Sequence, residues 1–200
     1  MGSLKIVEST RQIEKMIKQS LVGDVDKALS KAVSRVKSAI GPIITSALSS
    51  SPEISSLSSG ELRASFGLTS DPSPAIISSV VNSINVTVSK VDRNLNGGFA
   101  IEIQPDNFSN LLAGSFSEQL IDGGTIPWLE WLLTAGDSII IADFGVEFGN
   151  YGRTGKARMS KKKAPYKVPS AFSGTIDNNF VTRAIDGAFP QIKEIIRRSL

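Results

Sequence analysis

The chain of 200 residues, 40% hydrophobic and 20% charged, is long enough for one domain with a sizeable core. Its 22 basic and 19 acidic residues leave a net charge of only +3, so the placement of charge matters more than its sum. With no cysteine and no histidine, a disulfide framework, a thiolate zinc site and a Ser-His-Asp triad are all excluded.

The first twenty residues lack the continuous apolar stretch of a signal peptide. No run approaches the roughly 18 apolar residues of a membrane span, so a soluble protein with no membrane partner is expected. Ser9 and Gln12 form a capping-box pattern, and Ile13, Met16, Ile17, Leu21, Val25, Leu29, Val33, Val36 and Ile40 recur at three- and four-residue steps. They predict a long amphipathic helix with Lys15, Lys18, Lys27, Lys31, Arg35 and Lys37 on its other face, weakened or kinked at Gly41-Pro42. After a serine-rich joint, Pro52 is well placed to start a short helix that reaches Phe66 and ends at Gly67.

Asp71-Pro72-Ser73-Pro74 reads as a turn dividing a helical part from a strand-like one. Ile84, Val86 and Val88, a turn through "DRNLNGG", and Phe99, Ile101 and Ile103 predict a hairpin. In "TIPWLEWLLTAG" Thr125 can cap a short helix with Pro127 near its first turn and Gly136 at its end, and "DSIIIADFGVEF" reads as a strand. A last helix places Phe180, Ala184, Ile185, Ala188, Ile192, Ile195 and Ile196 on one face, kinked or divided at Pro190. Helices segregate from hairpins, which predicts a single α+β domain. Residues 1–48 form its N-terminal helical arm, 51–189 its core and 190–200 the end of its last helix.

Two groups of residues invite a functional reading. The stretch "GNYGRTGKARMSKKKAPYK" looks like a phosphate loop, but Asn150 stands where the first glycine of that motif must turn, and Ala157 follows Lys156 where a hydroxyl must hold magnesium. Nucleotide hydrolysis is therefore excluded, and no cofactor is expected. What remains is a run of Arg153, Lys156, Arg158, Lys161, Lys162, Lys163 and Lys167 with no carboxylate among them. Such a field contacts phosphates or docks on an acidic protein surface, unless it is only a solvated loop. Its charge density predicts an extended arm or hairpin projecting from the body. Trp128 and Trp131, on an almost wholly apolar helix, read as core or subunit-interface anchors. The carboxylates are scattered and form no acid–base pair across a cleft.

Taken in order, Trp128-Leu129-Glu130-Trp131-Leu132, Gly152-Arg153-Thr154-Gly155, Val168-Pro169 and Asn178-Asn179-Phe180 resemble a family of tailed-bacteriophage virion proteins of the neck, head–tail connector and tail-completion (tail terminator) type. The resemblance spans about residues 51 to 186. It implies a non-enzymatic α+β subunit of a homo-oligomeric ring of six- or twelve-fold symmetry, with portal, neck or tail proteins as neighbours and double-stranded DNA passing through. It also implies a place in the virion after assembly in the host cytoplasm, and makes Phe180 a further packing or interface anchor. A nucleic-acid-binding module using the 153–167 segment is the alternative.

Overall fold

The computed structural model describes residues 9–121, 124–161 and 164–200. At its start the Ser9 hydroxyl accepts from the Gln12 backbone N–H while the Ser9 N–H donates to Gln12 Oε1 at 2.8 Å, closing the predicted capping box. The helix so begun, α1 (Thr10–Ser49), is continuous through Gly41 and Pro42. Pro42 is exposed, and Ile40 and Ile44 on either side are fully buried, so packing holds the helix where the proline removes one backbone hydrogen bond.

Leu29, Ala32, Val33, Val36, Ile40, Ile44 and Leu48 are the buried residues of α1. They line up over its second half: Leu29 and Val33 pack with Val91 in a small cluster, and Val36 to Leu48 share the main core with α7 (Phe180–Ser199), which is continuous through the exposed Pro190. The expected kinks or breaks at both prolines give way to unbroken helices. At the start of α7, Asn179 Oδ1 accepts from the N–H groups of Val181 and Thr182 at 3.0 and 3.2 Å.

The first half of α1 departs from expectation. Met16, Ile17, Leu21 and Val25 are exposed, Met16 by 60% and Ile17 by 53%. Apolar residues at 13, 17, 21, 25, 29 and 33 step by four. At about 100° per residue that row winds about 40° around the helix at each step. Ile13, Met16 and Ile17 therefore lie opposite the face that is buried later, while Val25 is still close to it and is exposed because the packing begins beyond it.

Between the two long helices the chain makes α2 (Pro52–Ser59), α3 (Glu61–Ser65) and α4 (Ser73–Ser83), then the hairpin β1 (Asn85–Ser89) and β2 (Gly98–Glu102), with Val86 opposite Ile101 and Val88 opposite Phe99 as the alternation predicted. The hinge at Gly60 divides the single helix expected up to Phe66. α4 is a helix where only a turn was expected, because Pro74 lies in its first turn, where a missing N–H costs nothing. After α5 (Ser109–Leu112) come the hairpin β3 (Gln119–Ile121) and β4 (Gly124–Ile126), helix α6 (Trp128–Thr134), and the hairpin β5 (Gly145–Phe148) and β6 (Ala157–Ser160). Among the described residues the three hairpins stay separate two-stranded ladders.

Two local readings change. Thr125 belongs to β4 and does not cap α6, whose cap position is Pro127. Of "DSIIIADFGVEF" only Gly145–Phe148 pairs as a strand; Ile139 is exposed, and Ile141 makes a single antiparallel bridge to Tyr166. The fold is α+β.

Candidate functional site: the basic hairpin and the cavity behind it

The basic segment is built on β5 and β6. Glu147 and Arg158 are cross-strand partners joined by an ion pair at 3.1 Å, and the Arg158 guanidinium lies 4.4 Å from the centre of the Tyr151 ring. Tyr151 in turn donates its hydroxyl to the Phe148 carbonyl at 2.8 Å. The connection closes through Gly152 at φ +79°, where a Cβ would stand 1.9 Å from the Ala157 carbonyl oxygen, so only glycine fits there.

The next residue ties this turn down. Arg153 donates from Nη1 to the Leu120 carbonyl at 2.6 Å and from Nη2 to the Gly67 carbonyl at 2.7 Å. One guanidinium thus staples the tip of the third hairpin to the second hairpin and to the end of α3. The predicted projecting arm is a hairpin folded back on the body, because two backbone carbonyls take up the cation that was expected to repel its neighbours.

The remaining cations differ in their surroundings. Lys167 lies 3.7 Å from Asp137, both exposed, and Lys161 stands 5.5 Å from the centre of the Phe144 ring. Lys156 is exposed and has no carboxylate partner among the described residues. Lys162 and Lys163 lie outside the described residues. Arg153 and Arg158 are thereby committed within the fold, and Lys156 and Lys161 carry the field that faces outward.

Behind the staple lies a cavity of about 590 Å³, walled by Phe66, Leu120, Ile126, Trp131, Val146 and Tyr166 among others. Thr154 Oγ1, in its lining, is the single buried side-chain polar atom without a hydrogen-bond partner among the described residues. The Tyr166 hydroxyl is 3.0 Å from Ser65 Oγ, and burial pushes its pKa up to about 12. Trp131, half-buried, meets Tyr166 at 6.4 Å between ring centres.

The other predicted anchors stand in the core. Trp128 is fully buried, packs on Phe66 at 5.5 Å and donates Nε1–H to the Phe116 carbonyl at 3.1 Å. Phe180 is buried at the start of α7. The two tryptophans therefore do different work: one fixes the core and one lines the cavity.

Among the described residues no three Asp, Glu, His or Cys side chains are placed to hold a metal ion, and no helix is long and apolar enough to cross a membrane. Sequence reasoning missed the cavity and the Arg153 staple. Each depends on residues more than 30 positions apart, and no local pattern signals that. Compared with family models, curated proteins and solved structures, the chain matches none.

Proposed function

We propose that this chain is a non-enzymatic structural subunit of a tailed-phage virion, part of a ring at the neck or tail end that joins capsid to tail and lets DNA pass. The observation that carries this reading is the work done by the motif residues behind the resemblance. Gly152 makes a turn only glycine can make, Arg153 staples three elements, Trp128 and Val168 are buried, and Asn179 caps α7. Residues that build a frame and perform no chemistry are what an assembly subunit needs. The basic hairpin is then a contact to a neighbouring subunit or to the DNA.

Reversing Lys161, Lys162 and Lys163 to Glu separates these two contacts. A protein contact is lost even in empty particles, whereas a DNA contact leaves empty particles intact and impairs only DNA retention. Normal assembly together with normal retention removes the hairpin from the mechanism. The reading as a whole is tested by negative-stain images of the purified chain, alone and with a portal or tail-tube partner, in which rings are expected and monomers alone contradict it.

A nucleic-acid-binding module is the second reading, favoured by Lys27, Lys31 and Arg35 on α1, exposed and without an ion pair among the described residues. It requires the isolated monomer to hold duplex DNA with an affinity that falls steeply with salt. Salt-independent or absent binding rules it out.

A further inference from the structure

Two surfaces that include no residue of the basic hairpin remain exposed, and they complement each other. The first is the outward line of α1. At about 100° per residue, Ile13, Met16, Ile17, Lys27, Lys31 and Arg35 share one side of the helix, opposite the seam of Leu29, Val33, Val36 and Ile40 that packs on the body. This line is apolar at its N-terminal end, crosses Ser20 and the exposed Asp24, and is basic further on; none of its three cations forms an ion pair among the described residues.

The second is a groove of about 660 Å³ between the β2–α5 connection and α7. Its apolar lining includes Ile101, Phe108, Ile185 and the exposed Phe189. Its rim carries Glu102, Asp106, Asp177 and Asp186, all exposed and none engaged by a cation among the described residues. Lys193, 4.9 Å from the centre of the Phe189 ring, marks one edge. Phe108, buried in the wall, holds a left-handed backbone at φ +53°, a strained conformation that the surrounding packing must maintain.

We infer that the outward line of α1 of one copy lies in the acidic groove of the next copy, so that copies join head to tail. This rests on the ring-subunit reading above. The apolar end of the helix covers the apolar floor, in the manner of a helix laid in a groove, while Lys27, Lys31 and Arg35 meet the carboxylates of the rim. The occupant is a second copy and not the chain's own helix, because α7 and the β1–β2 hairpin hold α1 with this line facing away from its own body. Every copy carries both surfaces, and a heterologous contact of this kind generates a ring when its rotation closes.

The chain has no cysteine, so two introduced ones report the contact cleanly. Ile17→Cys and Phe189→Cys alter exposed side chains outside the buried core. When the two single variants are mixed and oxidised, a covalent dimer joining one variant to the other is expected, and the chain carrying both cysteines should give a ladder. Adding Asp177→Lys and Asp186→Lys to the groove variant should slow that link about tenfold, and Lys31→Glu with Arg35→Glu on the helix variant should recover it. Linkage of Ile17→Cys only to itself would mean that helices pair with each other, and overturns the docking. Rings in which the Ile17–Phe189 link never forms overturn the docking and leave the ring reading standing. Monomers without the link overturn both.

Discussion

The two halves of α1 obey the same rules of helix geometry and meet opposite fates. From Leu29 to Leu48 the buried side chains pack first on the β1–β2 hairpin and then on α7 and the core, whereas Met16, Ile17, Leu21 and Val25, of similar size, are exposed. The difference lies in where the body ends as well as in phase: a four-residue step carries the apolar row around the cylinder, and the seam side itself is exposed at Arg11 and Lys15. One half of the helix is held by its own fold, and the other half exposes its apolar side chains.

Truncation breaks the comparison most sharply. Ile40→Ala, in the fully buried half, should cost about 2–5 kcal/mol. Ile17→Ala should change the stability of the monomer by no more than about 0.5 kcal/mol. Urea unfolding followed by tryptophan fluorescence measures both, and equal losses would erase the distinction between the halves.

Alkali tests the body alone. Tyr166 loses its proton near the ordinary phenol value of 10.0 when unfolded, but only at about 12 when folded. Its contribution is therefore complete below pH 10 and lost as pH rises toward 12, about 2–3 kcal/mol from a shift of that size. Tyr166→Phe should flatten that part of the stability profile; an unchanged slope would show that the buried hydroxyl is not its source.

The clamp on the buried half rests partly on Arg183, which donates from Nη2 to Glu53 Oε1 at 2.6 Å and so ties α7 to α2. The Glu53 side chain is almost wholly buried and the Arg183 side chain is not, so Arg183→Ala leaves an uncompensated carboxylate inside the fold. A loss of about 2 kcal/mol is expected in the same unfolding experiment.

The smallest effect belongs to the end of α7. Hydrogen bonds from Arg197 and then Arg198 hold the Glu194 carboxyl down at about 2, against an ordinary value of 4.5. The stabilisation is present above 4.5 and lost as pH falls toward 2. Because the group is fully exposed, solvent and salt screen it. Glu194→Gln should therefore alter the acid limb of the stability curve only slightly, and less still at high salt.

Much of this architecture was legible in the sequence. The Ser9–Gln12 box, the alternation at Val86, Val88, Phe99 and Ile101, and the buried Trp128 follow from local chemistry alone. α4 was hidden because Pro72 and Pro74 read as a break, although a proline in the first turn is compatible with a helix. The strand at Thr125 exists because Gln119–Ile121 pairs with it, a partner that its own residues do not announce. Periodicity revealed that α1 is amphipathic but not which way each half faces, since that depends on where α7 returns more than 130 residues later. The acidic groove was unreadable for the same reason: Glu102 and Asp106 meet Asp177 and Asp186 only after folding.

The central claim is that the exposed half of α1 belongs to an assembly of copies. Negative-stain imaging of the full chain, alone and with a portal or tail-tube partner, tests it most directly when wild type and the Ile17→Glu variant are compared. The account expects closed rings of one defined symmetry from the wild type and dispersed, folded monomers from the variant. Rings that form equally well with Ile17→Glu would contradict it.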